Sequence, residues 1–157
     1  MLFKRTSGAD VQGLEQGERV LATAEGPDGR LAATDRRLLW PGGSIYWHEV
    51  DRATWKSDEN EFDVTPVATS DHAKRYRIPL SEPGRLVDVV REQVIASVVI
   101  TRHVPLDGRR GVRVTGRRKA DRSLVWHAVL DAGVDVEAPQ IRERLDAAVA
   151  QVRSEIE

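Results

Sequence analysis

The 157-residue chain contains no cysteine. That absence excludes a disulfide framework, thiolate metal sites, iron–sulfur ligation and a cysteine nucleophile. No apolar run approaches the roughly 20 residues needed to cross a bilayer. Too few apolar residues precede Lys4 and Arg5 for a secretory signal segment, so the expected location is the cytoplasm. A formal net charge of −1 provides no global attraction to DNA or to an anionic membrane. Catalytic signatures are missing as well: no G-x-S-x-G, phosphate loop, dinucleotide fingerprint or H-E-x-x-H occurs. The expectation is a protein without enzymatic activity and without a cofactor.

What is present is a run of short strands broken by turn chemistry. "RVLATAE" (19–25) runs into "GPDG" (26–29), a Pro-Asp-Gly turn. "RLAAT" (30–34) and "RLLW" (37–40) flank Asp35 and Arg36, where the Asp favours a bend over an anion site. "SIYWHEV" (44–50), "RATWK" (52–56), "FDVTPV" (62–67) and "RYRIPL" (75–80) complete seven candidate strands, the pattern of a small antiparallel barrel or sandwich. Residues 1–14 show no periodicity and read as a loose N-terminal arm.

The period then changes. Ser81 reads as an N-cap and Pro83 as a first-turn residue, and Leu86, Val89, Val90 and Val94 recur at helical spacing. Three further strands follow at 97–104, 111–118 and 123–130. In the final segment, 138–157, Ile141, Leu145, Ala148, Val149, Val152 and Ile156 fall within an arc of about 100°, the width of a core-facing helical stripe.

"RLAATDRRLLW" followed by "SIYWHEVDRATW" resembles bacterial pleckstrin-homology-like (PH-like) domains, which carry an "ATDRR" hairpin and a W-x-E/D-V corner, here Trp47, Glu49 and Val50. The resemblance covers about residues 15–96 and implies an antiparallel barrel plugged by a helix, serving binding, interaction or oligomerisation. Residues 97–157 resemble the C-terminal part of proteins from high-GC bacteria, a likeness that assigns no activity. The expected fold class is therefore α+β: an arm over 1–14, a PH-like barrel with its capping helix over 15–96, and a three-stranded β-meander with a C-terminal helix over 97–157.

Each candidate site competes with a plainer reading. The loop "EGPDG" carries Glu25 and Asp28 where lipid-binding relatives carry basic residues, so membrane lipid is not an expected partner. Trp40, Trp47, Trp55 and Trp126 sit on predicted strands and read as core. "SDENE" (57–61) lacks the ligand spacing of a calcium loop and reads as a solvated hairpin tip. His48, His72, His103 and His127 show no metal-ligand spacing; His103 and His127 fall on candidate strands of one sheet, where with Asp131 they could hold a metal only if the fold brought them together, so no metal is expected.

Charge segregation stands out. Residues 102–122 hold eight basic residues against Asp107 and Asp121, a net +6, whereas 123–157 carry a net −4. Arg109, Arg110, Arg113, Arg117 and Arg118 are the candidate ligand-binding residues, and strand alternation puts Arg113, Thr115 and Arg117 on one face. The expected function is a cytoplasmic interaction or scaffolding module acting through a protein partner or self-association. The alternative is an anionic ligand, including nucleic acid, held by these arginines.

Overall fold

The computed structural model of the protein describes residues 11–157 and divides the chain after Ser97 into two units. Of the expected N-terminal arm, residues 1–10 lie outside the described residues. In the first unit, β1 (Val20–Gly26) turns through Pro27 and Asp28 into β2 (Gly29–Thr34). Gly29 has a φ of +136°, which side chains resist, so the Pro-Asp-Gly signal closes this hairpin. A bend at Asp35 and Arg36 leads into β3 (Arg37–Trp40). The Thr34 hydroxyl accepts the backbone N–H groups of Arg36 and Arg37, each at 3.0 Å, while Asp35 reaches across to the Arg19 N–H at 2.9 Å. The bend is thus held locally by Thr34, and Asp35 ties it to the chain before β1.

β4 (Gly43–Tyr46) completes a four-stranded antiparallel sheet in the order β1-β2-β3-β4. The strand expected over 44–50 is interrupted: Trp47–Glu49 form a turn of 3₁₀ helix before β5 (Val50–Lys56). The cause is Trp47, whose N–H donates to the Arg36 carbonyl at 3.2 Å and whose Nε1 donates to the Thr34 carbonyl at 2.9 Å. Those bonds tie the corner to the β2–β3 bend rather than to a continuing ladder.

β5, β6 (Glu61–Pro66) and β7 (Tyr76–Pro79) form a second antiparallel sheet. The two sheets do not join, so the expected closed β-barrel is not formed. The turn at Trp47–Glu49 separates β4 from β5, and β5 carries a register shift between Val50 and Arg52. Beyond β7 the chain forms an isolated bridge to the first sheet between Glu25 and Glu82. Apolar burial unites what hydrogen bonds leave apart. Leu31, Leu38 and Ile45 of one sheet and Phe62, Val64 and Ile78 of the other share one core with Leu86, Val89 and Val90 of α1 (Leu86–Ser97). This helix starts later than the Ser81 cap predicts. The Ser81 N–H donates to the Glu25 carbonyl at 3.0 Å, and Gly84 at φ +51° breaks helical continuity before Leu86.

The second unit contains β8 (Val98–Asp107), β9 (Arg110–Arg118), β10 (Leu124–Leu130) and α2 (Pro139–Ser154). The strands pair antiparallel in the order β10-β9-β8. Ile141, Ala148 and Val152 of α2 close a core with Ile100, Leu106, Val112 and Val114. Pro139 stands in the first turn of α2, where its missing N–H sacrifices no intrahelical bond.

Candidate functional site

Residues of β9 alternate between two faces. Val112 and Val114 are buried in the core shared with α2. On the other face Arg113 is exposed and Thr115 half-buried, while Arg117 is only 6% exposed. Arg113 and Arg117 are in phase, as alternation predicts, but they differ in access. Arg109 lies in the β8–β9 turn and Arg110 opens β9, whereas Arg118 ends the strand and donates to the Arg122 carbonyl at 3.2 Å. At roughly 3.3 Å per residue, Arg110 and Arg118 stand about 26 Å apart. The candidate arginines therefore mark the two ends and the middle of a sheet and do not converge on one pocket.

Across the sheet, Arg113 has His103 of β8 and Val129 of β10 as its neighbours. His103 Nε2 is 2.8 Å from Asp131 Oδ2, which also accepts the Gly111 N–H at 2.8 Å. These two contacts, His103 first, hold the Asp131 carboxyl below its ordinary value. His127 stands opposite Thr115, away from that pair. Among the described residues, no group of three or more His, Asp or Glu side chains is placed to hold a metal ion.

The side chains leave one feature of this sheet out of view: its backbone. The Lys119 N–H donates to the Ser123 carbonyl and the Asp131 N–H to the Gly111 carbonyl, both at 2.8 Å. Between these bonds the β9–β10 register is unbroken. Odd-numbered residues of β10 therefore turn their N–H and C=O groups toward β9, and Leu124, Trp126, Ala128 and Leu130 turn theirs away. β10 is an edge strand, so those residues present a row of backbone donors and acceptors without a ladder partner among the described residues.

Edge strands are ordinarily blunted by charge, proline or a bulge. The opposite edge, β8, has all three: Arg102, Pro105 and register shifts at Val98/Ile100 and Pro105/Asp107. Pro105 falls where β8 faces outward, so its missing N–H removes no ladder bond. "LVWHAVL", by contrast, contains no Asp, Glu, Lys, Arg or Pro and no register shift. A signal for this was present in the sequence as an uncharged run, but only strand order makes it an edge.

In the first unit the charged groups are turned on one another. Glu18, with its carboxylate fully buried, receives Arg37 through Nη2 at 2.9 Å and Nε at 3.0 Å, and the Thr34 hydroxyl at 2.6 Å. Burial pushes the Glu18 carboxyl up, but Arg37, Thr34 and the Glu15 N–H outweigh it and leave it below its ordinary value. Arg37 also donates to the Gly13 carbonyl at 2.7 Å, and Arg36 to the Gln16 carbonyl at 3.0 Å and to Glu15 at 3.2 Å. Tyr46 donates its hydroxyl to Glu15, which with Arg36 lowers the Glu15 carboxyl. The adjacent arginines of "TDRR" are internal ties. Similarly, Asp63 is bridged by Arg75 and by Lys56 at 3.2 Å, and the Arg75 hydrogen bonds are the main cause holding its carboxyl down to about 2. A cavity beside Trp40 and Tyr76 measures about 200 Å³, below the roughly 300–1,000 Å³ of small-molecule sites, and a second beside Pro27, Asn60 and Leu80 measures about 410 Å³, within that range.

No family model, curated protein or solved structure matches the chain. Among the described residues no helix is long and apolar enough to cross a membrane.

Proposed function

We propose that the chain is a non-enzymatic cytoplasmic interaction module of PH-like type, acting through protein contacts made by the third sheet. The observation that carries this reading is the unguarded edge of β10. An exposed strand edge recognises extended protein chain through main-chain hydrogen bonds, with alternate side chains setting specificity. Exposed Val129, on the face beside that edge, adds apolar surface of the kind protein contacts bury. Seven strands followed by one helix in the first unit support the PH-like resemblance, although its sheets stay separate.

A second reading, capture of an anion or nucleic acid, is favoured by Arg109, Arg110 and Arg113 lying toward one end of β9. Retention experiments separate the two. Immobilised full-length wild type, Ala128→Lys and Arg109→Glu/Arg113→Glu proteins are exposed to native-cell lysate with and without nuclease. Retained proteins should survive nuclease treatment and be lost from Ala128→Lys alone. Retention abolished by nuclease and by the arginine variant would overturn the protein-contact reading in favour of nucleic acid.

A further inference from the structure

We propose that the occupant of the β10 edge is β10 of a second copy, paired antiparallel across a twofold axis. This rests on reading the third sheet as a protein-contact surface and names the partner at that surface.

Backbone phase makes the strand self-complementary. The outward groups belong to Leu124, Trp126, Ala128 and Leu130. With the axis at residue 127, Leu124 of one copy faces Leu130 of the other and Trp126 faces Ala128, so every outward residue meets an outward residue. Hydrogen-bonded antiparallel pairs require that match. On the second face Val125 meets Val129, covering a side chain that is 45% exposed in the single chain. The pairs flanking the axis are apolar, the type that stabilises a ladder, and at the axis itself His127 of each copy meets its counterpart.

Charge selects the antiparallel direction. Arg118, Lys119 and Arg122 outnumber Asp121 in the approach to β10, whereas Asp131, Asp135 and Glu137 follow it. Antiparallel pairing sets the basic approach of one copy beside the acidic exit of the other; parallel pairing would set like beside like. An isologous contact of this kind also closes at two copies. The joined sheet then ends on both sides in β8, whose Pro105 and register shifts discourage further strand addition.

The test uses the full chain in sedimentation velocity over a concentration series, with Ala128→Pro and Ala128→Lys as variants. Ala128 is exposed and its N–H faces away from β9, so both substitutions spare the intramolecular ladder. Wild type should form a dimer, and each variant should weaken it by at least about tenfold while retaining a cooperative melt. Because the chain has no cysteine, the register is read directly: mixed Val125→Cys and Val129→Cys proteins should form a disulfide between them under oxidation, and neither should do so alone. Wild type that stays monomeric up to about 0.1 mM, or a dimer undiminished in both folded variants, would overturn the proposal. A monomeric wild type whose Ala128→Lys variant still loses retained proteins would sink the second-copy occupant and leave the protein-contact reading standing.

Discussion

The two units place their ion pairs at different depths: Glu18 and Asp63 are buried, whereas the second unit's Arg102–Glu155, His103–Asp131 and Arg153–Glu157 pairs lie at the surface. In the first, Glu18 and Arg37, and Asp63 with Arg75 and Lys56, are paired within the unit, and they pin the segment before β1 and the approach to β7. Its sheet edges are short, bulged, charged or bridged: β4 and β7 have four residues each, β5 has a register shift and carries Asp51 and Arg52, and Glu25 of β1 bridges to Glu82. The core of the second unit is apolar, its arginines lie mostly at the surface, and it leaves the edge of β10 without a strand partner among the described residues. Charge spent inward specifies a geometry. An open backbone edge advertises a contact.

That contrast can be broken most sharply at Arg37. Replacing it by alanine leaves the Glu18 carboxylate buried without its counter-charge, which costs about 3–5 kcal/mol. Hydrogen exchange should show the loss over 19–66 and leave 98–154 protected. Equal loss in both stretches would mean that the units do not differ in what holds them. In the second unit the corresponding weak point is apolar. Ile141→Ala should lower stability by about 2–4 kcal/mol through cavity formation, with faster exchange confined to 98–154. A smaller effect sharpens the electrostatic side. Asp63 has a folded pKa of about 2 against an ordinary 3.8, so its contribution is present above about pH 4 and is lost as the pH falls toward 2. Asp63→Asn should therefore destabilise the protein by about 1–2 kcal/mol at pH 7, with Arg75 partly exposed limiting the effect, and by almost nothing at pH 2. Denaturant titrations of both proteins at the two pH values measure it, and a pH-independent difference would refute the ion-pair account.

Local patterns made much of this protein legible. Turn residues and alternation marked the β1–β2 and β2–β3 hairpins, because a bend depends on a few adjacent side chains. The apolar arc of 138–157 identified α2, because helical periodicity is a property of one segment. The barrel expectation failed where distant groups intervene: the Trp47 indole bonds to the Thr34 carbonyl, and that bond turns the corner out of the ladder. Glu15 and Glu18 carried no recognisable signal, since their partners Arg36, Arg37 and Tyr46 lie 19 to 31 residues along the chain. Arg117 looked equivalent to Arg113 by alternation, yet alternation assigns a face and not the depth at which a residue lies on it. By itself the sequence determined the short-range elements, the charge asymmetry of the second half and the lack of charge in "LVWHAVL". Only the tertiary structure decided that Arg36 and Arg37 are ties, that the sheets remain open, and that β10 is an edge, because ion pairing, sheet closure and strand order all depend on which distant segments meet.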